Sequence, residues 1–378
     1  MEKLTVKNIG PISKAEIEFG DLTVFVGPQA TGKSLILQLF DLIHNFGHIK
    51  KDLDIWGYSW KDIKDFYSLY FGSGMESAFN TNSEIIYNSN SYDIKMELAK
   101  SKDSYLKHFY IPAQRVMIME QGWVRPFTGF EHSYPYMIKQ FSELIRLELD
   151  TWSKGKLLFP HQSKLKKDLK DIIQKHIRYG KIVPKSYSNR KQIFMALENN
   201  AEISFGSWSA GQKEFAPLLF GLYWALPSGN NAQRKYIKWI TIEEPEMGLH
   251  PGAILGVMLL IFELLGRGYK ITISTHSNTI LELIWGINEI KNNRSKENDK
   301  EKNFLNLFNI ETKKRDMISF ANKILSKKFK TYFFNITDSG VETKDITSLN
   351  LEDESYWGGI TEFSGKVADI VGQIYAHK

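Results

Sequence analysis

The stretch VGPQATGKS, residues 26–34, has the residue types and spacing of a phosphate-binding loop. Gly27 and Gly32 leave room for backbone N–H groups to cradle phosphate oxygens. Lys33 can reach the β- and γ-phosphates, and Ser34 can bind Mg²⁺. A β-branched run precedes the loop and apolar residues at helical spacing follow it, which is the strand–loop–helix context that the motif requires. The stretch therefore predicts a nucleotide site, a feature shared by motors, switches, kinases and transporters.

Two carboxylates far along the chain can complete such a site. They are Glu243 and Glu244 in YIKWITIEEPEMGLH, residues 236–250, where an apolar run predicts a buried strand that ends at this pair. One carboxylate beside a phosphate loop can hold Mg²⁺, and an adjacent one can orient and deprotonate the attacking water. We assign Glu243 to magnesium and Glu244 to water. The next predicted strand, in residues 269–277, ends near His276, which can donate to the γ-phosphate.

Between these halves, SWSAGQKEFAPLLF at residues 207–220 predicts another helix that starts with small residues. Ser209, Gly211 and Gln212 stand at the expected helix N-terminus, where backbone N–H groups can bind an anion. Because the chain already has its own phosphate loop, the simplest role for this second anion-binding site is to contact the nucleotide of another subunit.

These motifs together resemble the ABC-class AAA-type ATPases. The resemblance is greatest to the soluble branch that contains the SMC and DNA-repair clamps and the overcoming-lysogenization-defect (OLD) ATPases of bacterial anti-phage defence. The matching pieces lie within residues 4–277 in the family's order: VKNIGPISKAEIEF, GPQATGKS, YIPAQR, SAGQ, ITIEEPEMGLHP and ISTHS. The resemblance implies a head-to-tail dimer in which two ATP molecules lie between Lys33 of one chain and the SAGQ segment of the other.

The resemblance also implies roles for two further segments. Gln114, in YIPAQR after the predicted strand HFYI, would be the loop glutamine that senses Mg²⁺ and water, which makes it a candidate for both the catalytic and the metal site. Residues 246–250 would cross the dimer seam. Three departures from the commoner pattern resemble the defence-type branch: Gln29-Ala30 in place of Asn-Gly, the short SAGQ, and Glu243 in place of aspartate.

The predicted elements indicate an α/β fold, an ABC-type ATPase head whose mixed sheet has a phosphate-loop core with antiparallel strands leading into it. The first strands are expected at residues 3–9, 15–19 and 22–26. We divide the chain into an N-terminal part of the ATPase lobe, an inserted helical arm, and a C-terminal part of the lobe with the signature, the carboxylate pair, the histidine and a C-terminal cap: residues 1–115, 116–200 and 201–378.

The inserted arm is the most basic part of the chain. Residues 151–191 contain 12 Lys and Arg against 2 Asp, an excess of +10 (12 − 2), interleaved with aromatic residues. Helical apolar spacing at 137–149 and 165–177 predicts a helical hairpin. The charge either covers a solvated helix face or forms a surface for the phosphates of DNA or RNA, or for an acidic protein.

After His276 the sequence offers no second catalytic constellation. The OLD proteins append a metal-dependent Toprim nuclease to this ATPase, and TDSG at 337–340 does not supply its Asp-x-Asp pair, so we expect no intrinsic nuclease. For the remaining segments we expect, in order, a mobile polar loop, a helix, a strand and an amphipathic helix: residues 291–303, 313–325, 332–336 and 361–375.

The composition of the 378 residues is that of a globular protein, with 42% hydrophobic residues. The lack of cysteine excludes disulfides, thiol nucleophiles and Cys-ligated metal sites. A formal charge of +6 and a pI near 9.0 permit a polyanionic partner without requiring one. Neither an apolar run of about 18 residues nor a signal-peptide pattern is present, so we expect a cytoplasmic protein without membrane contact.

Our first hypothesis is a soluble ABC-class ATPase that binds ATP and Mg²⁺ as a homodimer or larger homo-oligomer. It would act as a nucleotide-gated sensor or scaffold for a separately encoded effector, a nuclease or toxin, in anti-phage defence. The alternative is an ATP-dependent nucleic-acid clamp or motor of the SMC/repair type that uses the basic arm. The short signature and the long insert argue against a third class, the nucleotide-binding subunit of a transporter.

Overall fold

The computed structural model describes residues 1–100, 105–152, 158–159, 164–177, 180–187, 190–197, 201–227, 232–292, 297–311, 315–348 and Ile370. The strands are β1 (Lys3–Ile9), β2 (Ile12–Glu18), β3 (Leu22–Val26), β4 (Phe79–Tyr87), β5 (Asn90–Ser91), β6 (His108–Ile111), β7 (Met119–Glu120), β8 (Trp123–Val124), β9 (Lys181–Tyr187), β10 (Arg190–Ala196), β11 (Glu202–Ser204), β12 (Trp239–Glu243), β13 (Lys270–Ser274), β14 (Phe329–Thr337) and β15 (Gly340–Asp345). The α-helices are α1 (Lys33–Ile55), α2 (Ile63–Phe71), α3 (Ile94–Leu98), α4 (Tyr136–Trp152), α5 (Lys167–Ile177), α6 (Ala210–Ala225), α7 (Pro251–Gly266), α8 (Asn278–Asn292), α9 (Glu297–Asn306) and α10 (Arg315–Leu325).

A mixed sheet of ten strands lies at the centre of the fold, in the order β5-β4-β1-β2-β15-β14-β3-β13-β12-β6. Strands β14, β3, β13, β12 and β6 form a parallel half. Strands β2, β1 and β4 pair antiparallel and form the other side. The predicted α/β class is therefore confirmed, with β1 and β2 leading into a parallel core that contains β3.

Helices cover both faces of the parallel half, and the sequence of its strands reflects this. All five residues of β3 and of β12 are buried. Along β3, Val24 and Val26 pack into the apolar cluster that contains α6 and α7, while Phe25 packs into the cluster that contains α1. Strands covered on both faces require consecutive apolar residues and not an alternating pattern.

The central sheet takes its strands from both ends of the described chain, and the segment between them forms smaller units. The predicted helices at 137–149 and 165–177 are confirmed as α4 and α5. Two small antiparallel sheets, β7-β8 and β11-β10-β9, accompany them where helices alone were expected. Helix α5 packs against α7, because Leu169 and Ile173 are buried in the apolar cluster that contains α7. The division at residues 115 and 200 stays a proposal.

Part of the basic charge counted in residues 151–191 is neutralised within the structure. Lys164 is 3% exposed and donates to a backbone carbonyl of α6 over 2.7 Å. It also pairs with Glu148 over 3.4 Å, and burial lowers its pKa to about 8. Lys164 therefore cannot belong to a phosphate-binding surface, although the sequence count includes it.

The polar run at 291–303 is helical where the structure describes it, so the expectation of a loop is wrong there. Helix α8 continues to Asn292, and α9 starts at Glu297. Phe304 and Leu305, at the end of α9, are fully buried and hold this helix on the core. These two anchors lie just beyond the polar run, so the composition of the run does not reveal them.

The helix expected at 313–325 and the strand expected at 332–336 are confirmed as α10 and β14. The helix expected at 361–375 lies outside the described residues, apart from Ile370. None of the described helices is both long and apolar enough to cross a membrane.

A polar network is buried beneath α1. The Asp41 carboxyl is fully buried, accepts a hydrogen bond from Asn45 Nδ2 over 2.8 Å and lies 2.9 Å from the Tyr70 hydroxyl. That hydroxyl also donates to the carbonyl of Gln38 over 2.8 Å. Burial raises the pKa of Asp41 to about 7, against the hydrogen bonds from Tyr70 and Asn45. When Asp41 is protonated it can donate to the Tyr70 oxygen while Tyr70 gives its only proton to the Gln38 carbonyl, so both short contacts of the Tyr70 hydroxyl are satisfied.

Replacing Asp41 by asparagine is expected to remove a pH-dependent part of the stability. The folded-state pKa of about 7 lies above the ordinary value of 3.8, so this group's contribution is present below that value and lost as the pH rises to about 7. At about 1.4 kcal/mol per pH unit, the total loss is of the order of 4 kcal/mol, of which about 3 kcal/mol falls between pH 5 and pH 8. Urea unfolding at about pH 5 and about pH 8 measures it. A pH dependence in D41N equal to that of the exposed control D54N would contradict the prediction.

Candidate functional site

The phosphate loop joins the end of β3 to the start of α1, and two of its glycines are required by backbone geometry. Gly27 has φ +140°, and a Cβ there would stand 2.8 Å from the carbonyl oxygen of Phe334. Gly32 has φ +85°, and its Cβ would stand 2.8 Å from a side-chain carbon of Ile12. Residues that carry a Cβ rarely adopt either backbone conformation. The loop is thus held against β14 and β2, while residues 28–30 at its tip are exposed.

Lys33 folds back over the phosphate loop. Its ammonium donates to the carbonyl oxygens of Gly27 over 2.9 Å and Pro28 over 2.6 Å. Burial lowers the pKa of Lys33 to about 8, and the carboxylates of Glu244 and Glu243 oppose this effect. A cation therefore lies at the N-terminus of α1, where the helix dipole also favours a negatively charged ligand.

Glu243 ends β12 and is buried. Its Oε2 accepts the backbone N–H of Ala113 over 3.1 Å, while its Oε1 is buried without a hydrogen-bond partner among the described residues. Burial raises the pKa of Glu243, and the Ser34 side chain and the Ala113 N–H act in the opposite direction. Mg²⁺ usually takes one or two protein oxygens together with phosphates and water. A free carboxylate oxygen beside a serine hydroxyl fits that requirement.

The parallel pairing of β12 with β13 brings Glu244 and His276 together. Glu243 pairs with Ser274, and the N–H of Glu244 donates to the carbonyl of Ser274 over 2.9 Å. As a result His276 Nε2 lies 3.8 Å from Glu244 Oε1. Burial and the nearby Lys33 ammonium lower the pKa of His276. The ring is therefore neutral near pH 7 and keeps one N–H to donate.

Glu246 supports His276, a role that the sequence analysis missed. Its Oε1 accepts the Thr275 hydroxyl and the backbone N–H of His276, both over 2.7 Å. Its Oε2 is buried and has no hydrogen-bond partner among the described residues. Burial raises the pKa of Glu246. The available signal was a third carboxylate in EEPE, which we had placed only in the seam segment.

Arg115 was missed as well, although it stands in the quoted motif YIPAQR. It is fully buried, and its guanidinium donates to the carbonyl oxygens of Glu243 over 2.9 Å, Glu244 over 3.0 Å and Glu214 over 3.2 Å. A further, longer contact of 3.5 Å reaches the carbonyl of Pro112. Arg115 therefore fixes the backbone of the carboxylate pair rather than its side chains.

Gln114 lies at the border of this cluster. It is exposed and precedes the 3-10 helix Arg115–Ile118. The N–H of its neighbour Ala113 binds Glu243, so the backbone keeps Gln114 close to the proposed metal ligand. The sensing role of Gln114 stays a prediction.

The signature residues are assembled at the N-terminus of α6. Ser209 Oγ accepts the N–H of Gln212 over 3.3 Å, and Gln212 Oε1 accepts the N–H of Ser209 over 2.9 Å, which is a capping box. Gly211 packs so closely against Gly248 that a Cβ on Gly211 would overlap the Gly248 carbonyl oxygen. SAGQ therefore has a structural use within its own chain, beside the predicted use toward another subunit.

Comparison with protein families bears on this arrangement. A family model described as "AAA domain, putative AbiEii toxin, Type IV TA system" matches residues 22–282, from the start of β3 into α8. The chain belongs to this family. The predicted AAA-type ATPase class is thereby confirmed at the level of the AAA domain, and the matched range contains every site residue described above. No functionally curated protein matches the sequence.

Several solved structures are similar to this AAA-domain protein in overall form. An SMC head bound to the C-terminal winged-helix domain of ScpA is 13% identical, with a TM-score of 0.44 over 93% of this chain and 97% of that one. The SMC head domain from Thermotoga maritima is 12% identical, with a TM-score of 0.36 over 91% and 97%. A bacterial ABC transporter cassette solved as a dimer is 11% identical, with a TM-score of 0.33 over 74% and 90%.

Replacing Gly211 by alanine is expected to destabilise the AAA-domain protein. The new methyl group would overlap the carbonyl of Gly248 and force α6 to shift. Overpacking costs about 1–3 kcal/mol, which outweighs the roughly 1 kcal/mol that alanine gains over glycine in a helix. Gly206, in the nearby 3-10 helix Phe205–Ser207, has nothing within 4 Å of an added Cβ and is the control. Equal urea midpoints for G211A and G206A would disprove the tight contact.

Proposed function

We propose that the protein binds ATP with Mg²⁺ at the phosphate loop and hydrolyses it at a site that a second copy completes. One observation carries this proposal. Lys33, the carboxylates of Glu243 and Glu244, and His276 meet at the carboxyl ends of β3, β12 and β13, and the charges of Lys33 and these carboxylates affect one another. In parallel sheets, ligands bind at this end of the strands.

The side chains at this edge suit the steps of phosphoryl transfer to water. Lys33 would exchange its bonds to loop carbonyls for bonds to β- and γ-phosphate oxygens. Glu244 would accept a proton from water as the water oxygen bonds to the γ-phosphorus. The bond from that phosphorus to the bridging oxygen breaks, and ADP leaves with the electron pair. His276, neutral and held by Glu246, would donate to a γ-phosphate oxygen.

Ser34 and Glu243 would hold Mg²⁺, because the free Oε1 of Glu243 and the Ser34 hydroxyl are the oxygens present beside the loop. When bound, the ion neutralises charge on the β- and γ-phosphates. Gln114, whose backbone neighbour binds Glu243, is the proposed sensor of the ion and the water.

We further propose that Ser209, Gly211 and Gln212 bind the nucleotide of a second copy in a head-to-tail pair. Ser209 is exposed at the N-terminus of α6, where the helix dipole and backbone N–H groups favour an anion. The contact between Gly211 and Gly248 places residues 246–250 directly beside this terminus. That position suits a segment that crosses the seam between subunits.

The biological role is proposed from the resemblance and from the family description. Opening and closing of the pair with ATP would act on a separately encoded effector, a nuclease or toxin, so that the ATPase serves as a nucleotide-gated sensor or scaffold in anti-phage defence. The family's description refers to a toxin and to a type IV toxin–antitoxin system, which is compatible with a role in anti-phage defence.

ATP binding is expected to depend on the protonated form of Lys33. Because burial lowers the pKa of Lys33 to about 8, the affinity for ATP should fall as the pH rises through that value, and Lys33→Ala should abolish binding. Fluorescence titration with an ATP analogue measures both effects, with the exposed Lys61→Ala as the control. An affinity that stays constant up to about pH 9 would contradict the role of this ammonium.

The Glu244→Gln variant is expected to bind ATP and remain a closed dimer. Glutamine keeps the size of the side chain but cannot accept the proton from water, so kcat should fall by about 10²–10⁴-fold. Light scattering with ATP and Mg²⁺ should show the mass of a dimer, and the mass of a monomer without nucleotide. Hydrolysis at the parental rate would show that Glu244 is not the base.

Glu282→Gln, an exposed change on α8, is the matched control for the loss of charge and should behave as the parent.

The trapped Glu244→Gln dimer and the Lys33→Ala protein then provide two baits for the effector. A nuclease or toxin encoded beside this chain should be retained by one nucleotide state and not by the other. Equal retention by both would contradict nucleotide gating without affecting the ATPase assignment.

A further inference from the structure

Arg115 connects three parts of the site through backbone carbonyls. The guanidinium reaches Glu243 and Glu244 at the end of β12 and Glu214 in the second turn of α6. Its side chain is fully buried, so water does not compete for these donors. The end of β12 and the signature helix are therefore held at one fixed distance from each other.

The chemistry of this position calls for arginine. A guanidinium carries five N–H donors in a rigid planar fork, whereas a lysine ammonium is a point charge with three donors. Burial lowers the pKa of Arg115, and the carboxylates of Glu214 and Glu246 act in the opposite direction, together with those of Glu244 and Glu243. The charge is thus stabilised by the site's own carboxylates while its donors hold their backbone.

Glu244 is the residue whose conformation most depends on this contact. Its φ is +42°, a left-handed conformation that is uncommon for glutamate. Its N–H is fixed by the carbonyl of Ser274, and its own carbonyl is fixed by Arg115. Strained backbone persists when surrounding contacts overdetermine it. Arg115 supplies one of three such contacts here, because the N–H of Met247 also donates to the Glu244 carbonyl over 3.1 Å, and the Arg115 contact is the one that reaches α6.

At the other end, Arg115 binds the helix α6, which begins with the signature segment SAGQ. Glu214, whose carbonyl Arg115 binds, lies in the same helix as Ser209 at its N-cap. A helix transmits a displacement of its first turn along its hydrogen-bonded length. A second link runs parallel to this one, since Gly211 contacts Gly248, four residues after Glu244.

We propose that Arg115 is a positioning residue that couples the signature helix of a subunit to the hydrolytic carboxylate of that same subunit. The proposal rests on the proposed function, in which the signature touches the partner's ATP while Glu244 acts on the subunit's own. Arg115 then connects the two nucleotide sites of the pair. When ATP occupies one site, Arg115 places Glu244 in its hydrolytic position at the other site. Hydrolysis therefore depends cooperatively on the ATP concentration.

The test compares Arg115→Lys with Arg267→Lys. Arg267 also donates to a backbone carbonyl, that of Lys164, over 2.8 Å, and so joins two elements away from the nucleotide site. Three quantities are measured in each variant and the parent: the affinity for ATP, the dependence of hydrolysis on ATP concentration, and the hydrogen-exchange rate of the Glu244 amide.

We expect Arg115→Lys to bind ATP within about twofold of the parent, to lose about 10²-fold in kcat, and to show a Hill coefficient that falls from above 1 to 1. The Glu244 amide should exchange faster, while Arg267→Lys changes none of these quantities. A lower kcat with an unchanged Hill coefficient and unchanged exchange would overturn the coupling, and so would the same changes in Arg267→Lys.

If Arg115→Lys does not fold, Arg115→Gln takes its place, because a neutral amide needs no buried cation at this position and keeps two donors. The same expectations and the same contrary results apply to it. A parent that neither hydrolyses ATP nor dimerises with it would refute the proposed function. A parent that does both with a Hill coefficient of 1 would refute the coupling alone.

Discussion

The balance of buried charges at the carboxyl edge of the parallel strands is the constraint on which the other features depend. Burial lowers the pKa of Lys33 and of Arg115, and it raises the pKa of Glu243 and of Glu246. Nearby carboxylates oppose the effect of burial on the two cations, whereas hydrogen bonds oppose it on Glu243 and Glu246, whose pKa values the Glu244 carboxylate raises further. Removing one charge leaves another buried without compensation, which is costly. The parallel register, the glycines of the phosphate loop and the left-handed Glu244 all keep these opposite charges within reach.

The sequence predicted the features that depend on local patterns and missed those that depend on backbone partners. The strands LTVFV and WITIE are mainly apolar, the phosphate loop follows the first directly, and the carboxylate pair begins at the last residue of the second. Arg115 binds backbone carbonyl oxygens, and Glu246 binds a backbone N–H besides the Thr275 hydroxyl. Because backbone groups are nearly the same at every residue, the side-chain pattern does not show which of them these two residues contact. The three-stranded sheet β11-β10-β9 was not predicted, for another reason. Pro184 interrupts the β9 pattern, and it is tolerated because β9 is an edge strand of that sheet.

The SAGQ segment shows why one motif can have two physical explanations. A serine followed three residues later by glutamine is the pattern of a capping box, and the side chains of Ser209 and Gln212 form one. The cap does not explain the glycine, because the two side chains that form the cap are those of Ser209 and Gln212. Gly211 is required by the approach of Gly248, which ties the signature to the segment after the carboxylates. The structural and the binding roles are compatible, since the cap orders the same N–H groups that would face a phosphate.

The basic arm illustrates the limit of counting charges along a sequence. Its excess of +10 includes lysines whose carboxylate partners lie outside the counted stretch: Lys164 with Glu148, Lys166 with Asp316, Lys185 with Glu202, and Lys191 with Asp150. Binding to nucleic acid gains free energy by releasing the counterions of the phosphates, and a lysine that is already paired must first give up its carboxylate. For an exposed pair this costs only about 0–1 kcal/mol. For Lys164 it means separating a buried pair, so the clamp hypothesis loses this lysine from its proposed surface. The nucleotide site proposed above instead rests on contacts that the fold itself assembles.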